Sequence, residues 1–360
     1  MPEVRGNSAI VTALAVVAVL LASCAGSDPG SASSGRAPDA ASPTTTFPAG
    51  VPGVVQAADA LLATIDDRQK AAVLLDFTAA TASAWSLQPC GSCLVGIPLG
   101  KLSDEQVIAA KAVLQGALGS GTGTGYDQAM QILLADDLLG AEVGGGYSSA
   151  NYHLAFLGTP STTGTWQLHV SGHHLAVNIT YVDGAVAGAT PFYIGVEPTQ
   201  WTADDGTAYA PLNPMRDGML ALMGSLTQDQ LVQAKLSESH TEVVMGPDQD
   251  GQFPGTKEGL AVSGLSEDQK ALVVEAMTRW VSVTDDAAAD SLLAGYRSEL
   301  DQTYIAYRGS GGLTGHGDYV RIDGPSVWIE FVCQIGAIYP AVHFHTVYRD
   351  HRRDHGGGLP

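Results

Sequence analysis

The residues with the clearest capacity for chemistry are His343 and His345, in the run Ala341-Val342-His343-Phe344-His345-Thr346-Val347-Tyr348. The run reads as a β-strand, so both imidazoles project from one face about 7 Å apart along the backbone, within reach of one metal ion or anion. A second pair, His173-His174, opens another strand-like run, and the two pairs hold four of the ten histidines. Two or three imidazoles with one carboxylate suit Zn, Fe, Ni or Cu better than Ca or Mg, which prefer oxygen shells. Three protein ligands leave a position for water, and such a centre can generate hydroxide at neutral pH or bind an oxidant.

The carboxylate is sought in Val327-Trp328-Ile329-Glu330-Phe331-Val332, where Glu330 interrupts an apolar strand. Burying it is costly unless it is paired or bound to a cation. Arg321 is the candidate ion-pair partner, and a metal ion is the alternative. After Gly172, His174, Ala176, Asn178 and Thr180 share one face, while Leu175, Val177, Ile179 and Tyr181 share the packing face. His173 falls at the turn. Arg349 shares the face of His343 and His345 and could hold a substrate carboxylate or phosphate bidentately. The expected metal ligands are therefore His174, His343, His345 and Glu330, with Arg321, Arg349, Asn178 and His173 as substrate-binding groups. Against this stands the plainer reading of hydrogen-bonded core histidines and a solvated charged terminus over residues 349–355.

The elements that must position these groups are legible from capping and periodicity. Asp66-Asp67-Arg68-Gln69, Ser103-Asp104-Glu105-Gln106, Thr227-Gln228-Asp229-Gln230 and Ser266-Glu267-Asp268-Gln269 each place a capping side chain three residues before Gln, with Ile or Leu just ahead. Each is a capping box and predicts a helix start. Their recurrence is a shared way of starting helices and is compatible with an old duplication. Further helices are expected over 126–139 and 286–300. Period-two runs over 152–156, 165–170, 174–182, 191–196, 303–307, 319–323, 327–333 and 342–348 predict strands joined by tight turns. The fold class that follows is α+β: an antiparallel β-sheet packed with several capped α-helices in a single large domain.

That domain is expected over 51–360. Residues 1–23 have the layout of a signal peptide: a polar segment with Arg5, an apolar run from Ala9 to Leu20, then small residues before Cys24. The segment resembles a bacterial lipobox, with Cys24 acylated as the first mature residue and two acyl chains sufficient for anchoring. A disordered tether rich in Ser, Gly, Pro, Ala and Thr is expected over 24–50. The expected location is the extracytoplasmic face of a bacterial cell membrane, with no membrane contact beyond the lipid anchor.

A formal charge of −20 makes nucleic acid an improbable partner. In an oxidising compartment Cys90 and Cys93 are expected to form a local disulfide, and Cys333 reads as a buried thiol. There is no H-E-x-x-H, G-x-S-x-G, S-x-x-K, Walker or G-x-G-x-x-G motif. The usual support for zinc peptidase, serine hydrolase, penicillin-binding and nucleotide-binding readings is thus missing.

Four segments in order carry a family resemblance. They are Trp166 through Gly172-His173-His174-Leu175-Ala176-Val177-Asn178, Thr190 through Pro198, Tyr319 through Pro325 with Glu330, and His343 through Asp350. Together they resemble the bacterial domain-of-unknown-function 3500 family, over essentially the whole body after the tether. The Leu-Ser/Thr-x-x-Gln helix starts and Gly125-Tyr126 fit it as well. The resemblance implies no assigned activity, but it joins the Gly-His-His, Arg-Ile-x-Gly-Pro and His-x-His segments into one site. The Cys90/Cys93 insertion and the ending after Asp354 depart from the family pattern. The function expected is an extracytoplasmic lipoprotein with a histidine-rich transition-metal site acting as a metal-dependent hydrolase. The alternative is a non-catalytic surface lipoprotein that binds a metal, small ligand or protein partner.

Overall fold

Each of the four capping boxes starts a helix in the computed structural model, which describes residues 47–359. The signal segment, Cys24 and nearly all of the tether lie outside the described residues. The helices are α1 (Val51–Thr64), α2 (Asp67–Val73), α3 (Ala79–Ala82), α4 (Asp104–Ala117), α5 (Gly125–Val143), α6 (Asn213–Gly224), α7 (Gln228–Ala234), α8 (Glu267–Val281) and α9 (Asp286–Ser298). Asp66, Ser103, Thr227 and Ser266 each accept from the amide three residues on, and the Gln there accepts from the cap's own N–H. Such caps contribute about 1 kcal/mol each. The glutamines also bond across helices, Gln69 to Gln106 and Gln230 to Gln269, so the four starts are locked in two pairs.

The strands are β1 (Leu74–Leu75), β2 (Ile97–Pro98), β3 (His153–Leu157), β4 (Thr165–Gly172), β5 (Leu175–Val182), β6 (Ala185–Gly188), β7 (Phe192–Val196), β8 (Trp201–Thr202), β9 (Ala208–Tyr209), β10 (Leu260–Ala261), β11 (Tyr304–Arg308), β12 (Tyr319–Asp323), β13 (Val327–Gln334) and β14 (His343–Asp350). Twelve of them form one sheet in the order β1-β3-β4-β5-β7-β14-β13-β12-β11-β10, with β2 on β3 and β6 on β5. All neighbours in it are antiparallel except β1 beside β3. The α+β expectation therefore holds, and the described residues lie in one compact unit.

The sheet repeats itself. His153↔Ser171 and His169↔Asn178 across β3–β5 occupy the same register positions as Tyr304↔Asp323 and Arg321↔Glu330 across β11–β13. The halves meet where β7 pairs β14, so β14 lies at the centre of the sheet beside elements of the other half.

Both faces are covered. Leu168, Val170, Leu175, Val177, Ile179, Ile194, Ile329 and Phe331 pack with the helices in the main core. Each such side chain contributes roughly 1.5–3 kcal/mol when fully buried. The opposite face, which also carries Asn178 and Glu330, is not open to solvent: Ala176, Tyr193, Trp328, Val332 and Val347 pack under Trp85, Leu236, Val243 and Met245 from connecting segments. Polar side chains on that face consequently had to find partners inside the protein.

Candidate metal centre

The centre lies where the β4–β5 turn meets the start of β14. His343 and His345 alternate outward on one face of β14, and Gly195 of β7 lies directly opposite His345. A Cβ at position 195 would stand 2.7 Å from His174 Cδ2 and 2.9 Å from His345 Cδ2. Only glycine there lets the two rings meet. His174 is not the first residue of a strand, as its sequence suggests, but a turn residue with φ of 63°. A non-glycine side chain in that left-handed region costs roughly 1–2 kcal/mol. The turn thereby delivers the ring over β7.

Three imidazole nitrogens converge as a result. His345 Nε2 lies 3.1 Å from His174 Nε2 and 3.0 Å from His343 Nε2. Ligand atoms of all three side chains fall within 4.8 Å of one another, and all three are buried. On its far side His345 Nδ1 meets both carboxylate oxygens of Glu242, at 3.0 and 2.9 Å. That contact places the His345 proton on Nδ1 and leaves Nε2 with a single in-plane lone pair. One lone pair cannot satisfy two ring nitrogens at hydrogen-bond distance, whereas a cation between the three can. Tetrahedral coordination with zinc–nitrogen bonds of 2.0–2.1 Å sets nitrogen–nitrogen spacings of about 3.3 Å, close to the two that His345 makes.

The electrostatics favour unprotonated rings at His174 and His343. Burial, then the neighbouring imidazoles, hold His174 well below its ordinary pKa, and the same two causes push His343 down to about 3. Lone pairs are thus available at neutral pH, which metal binding requires. Among the described residues His343 Nδ1 is buried without a hydrogen-bond partner, with Glu197 Oε2 at 3.9 Å. Glu197 itself is anchored by the amides of Ala337, Ile338 and Tyr339 in the segment leading into β14.

Behind His174 the His173 ring stacks at 3.6 Å between centroids. Its Nδ1 lies 2.7 Å from Asp136 Oδ1 of α5, a second group of buried ligand-type side chains that shares His174. His173 also borders a cavity of about 540 Å³ that includes Cys90, Lys101, Asn151 and His153. Cys90 and Cys93, bonded to each other, lie in a loop at this cavity.

Several expected site residues are elsewhere. Glu330 is not at the cluster: its oxygens accept from the amides of Val244 (2.6 Å) and Met245 (2.8 Å), Tyr319 Oη (2.8 Å) and Trp328 Nε1 (2.6 Å). These four donors give the buried carboxylate the hydrogen-bond partners it needs. Arg349 is fully buried and bonded to Asp354, Asp250 and the carbonyls of Met245 and Gly246, which leaves it no freedom for substrate. Asn178 is buried between Gln167, His169 and the Pro191 carbonyl. Arg321 lies two strands from β14, over the Trp328 ring at 4.8 Å and 3.5 Å from Glu258 Oε2. It neighbours Glu330 in register but supplies none of its hydrogen bonds. His173 alone of the substrate-binding expectations adjoins the cluster.

Sequence reasoning passed over Glu242, Glu197, Asp136 and Gly195. Asp136 had a readable signal, a carboxylate on the buried side of the apolar helix α5. Glu242, in a polar connecting segment, had none.

A family model described as "Protein of unknown function (DUF3500)" matches residues 48–357. No curated protein and no solved structure matches the chain.

Proposed function

The chain belongs to the DUF3500 family, and from that premise we propose that it is a transition-metal protein whose His174, His343 and His345 hold one ion with a fourth position free for water or substrate. The carrying observation is the convergence of two ring nitrogens on the single lone pair of His345. An all-imidazole donor set of this size favours zinc, with copper, nickel and iron as competitors. The ion would act as a Lewis acid on substrate and lower the pKa of bound water, the chemistry of a metal-dependent hydrolase. Glu242 would fix the His345 tautomer and raise its basicity, and Gly195 would keep the rings together.

A second reading, non-catalytic metal binding, is favoured by the near-complete burial of the ligands, whose exposures are 2%, 6% and 2%. Cobalt(II) substitution separates the two. The hydrolytic reading expects visible d–d bands that shift when azide is added, because a small anion enters the free position. Bands indifferent to azide would leave a closed storage or structural centre, and protein that takes up no cobalt(II) would remove the metal reading altogether.

We extend the reading to location: a lipid anchor at Cys24 on the extracytoplasmic face of the cell membrane. The lipobox-like leader supports it. A Cys24→Ala protein that still fractionates with membranes would refute it.

A further inference from the structure

A pocket of about 390 Å³ outside the histidine cluster has a charge opposite to that of the molecule. The chain carries 37 acidic against 17 basic residues, yet this pocket is lined by Lys235, Arg308, His240 and His316 with the hydroxyls of Ser239 and Thr241, and by no carboxylate. Arg308 uses Nη1 on the Leu236 carbonyl at 3.2 Å, which fixes the guanidinium at the end of β11. Among the described residues neither Lys235 nor Arg308 forms an ion pair, in contrast to the buried Arg349. Two uncompensated cations facing one concavity in an acidic protein focus positive potential there.

We propose that this pocket binds a phosphate-type oxyanion, the phosphoryl group of a small ligand. The donor inventory favours a tetrahedral anion over a carboxylate. A guanidinium fork, an ammonium, two imidazoles and two hydroxyls exceed what two carboxylate oxygens accept, and they match the oxygens of a phosphate.

The pocket also lies beside the histidine cluster along the chain and across the sheet. Thr241, which lines it, accepts a hydrogen bond from the Gln334 side chain, and Gln334 stands opposite His343 in the β13–β14 pair. The next residue, Glu242, is the one that holds His345. A ligand anchored by its phosphoryl group would therefore rest on the segment that orients a ring of the cluster. The anion site itself depends only on its own charges and stands whether or not a metal binds.

The test is calorimetric titration of the full chain with inorganic phosphate at constant ionic strength, with acetate as comparator and metal content measured on the same samples. Saturable phosphate binding is expected, at least tenfold weaker in Lys235→Ala/Arg308→Ala, partly retained in Arg308→Lys, and much weaker for acetate. Lys235→Glu, a single exposed charge reversal, gives the same weakening should the double variant fold poorly. Metal content is expected to be unchanged in every variant. Absent phosphate binding in the wild type, equal affinity in the variants, or acetate binding as tightly as phosphate would each overturn the proposal. Loss of metal from the wild type would leave it untouched and strike only the metal reading.

Discussion

Glu242 holds His345 from behind: its Oε2 lies 2.9 Å from the ring's Nδ1, on the side away from His174 and His343. The ring is thereby fixed in the tautomer that presents Nε2 to the cluster.

Glu242→Gln should therefore weaken metal binding by roughly 10–100-fold, the usual cost of losing a carboxylate that orients a metal-bound imidazole. Competition against a chelator of known affinity measures it. Glu242 is partly exposed, so thermal stability of the metal-free protein should change little. An unchanged affinity would show that the contact does not orient a ligand.

Gly195→Ala places a methyl group where the His174 and His345 rings meet. We expect metal affinity to fall at least tenfold and the apo protein to lose about 1–3 kcal/mol, the range for overpacking a dense interior. Urea unfolding and metal titration read the two effects separately. Wild-type affinity in this variant would mean that the rings need not approach across β7.

His169 supplies a pH dependence outside the cluster. Burial pushes its pKa down to about 4, against hydrogen bonds to Asn178 and the Ala84 carbonyl that raise it. The unfolded chain binds a proton near pH 6.5 and the folded chain only near 4, so the contribution is fully present above 6.5 and is lost as pH falls towards 4. The difference amounts to about 3 kcal/mol. Stability measured from pH 7 to 4.5 should fall less steeply in His169→Gln than in the wild type. Parallel curves would place the His169 ring in contact with solvent.

Glu330→Ala removes a carboxylate that four donors surround. The loss should be roughly 3–5 kcal/mol, as for one partner taken from a buried charged network. Metal stoichiometry of the folded fraction should remain that of the wild type. Metal lost in proportion to stability alone fits this account, whereas loss from well-folded protein would return Glu330 to the cluster.

The helix starts were legible because a capping box is local: Ser103 and Gln106 meet whatever the rest of the chain does. Strand alternation likewise revealed that His343 and His345 share one face of their strand, whereas His174, read as part of another strand, joins them from a turn. What alternation cannot show is whether a polar face is open. Asn178 and Glu330 looked like chemistry because each is a polar residue in an apolar strand. They occupy corresponding places in the two halves, opposite His169 and Arg321, and each is enclosed by internal hydrogen-bond partners. Arg349 was misread for the same reason. Glu242 escaped because it reaches His345 from a segment 103 residues away, with no period or motif to mark it.

The central claim is that three imidazoles hold one ion, and metal analysis of tag-free protein tests it most directly. After exposure to zinc and exhaustive dialysis, the wild type should retain one equivalent per chain, and a folded His343→Ala/His345→Ala protein should retain almost none. Wild-type protein that holds no stoichiometric zinc, copper, nickel or iron, or a double variant that holds as much as the wild type, would contradict the account.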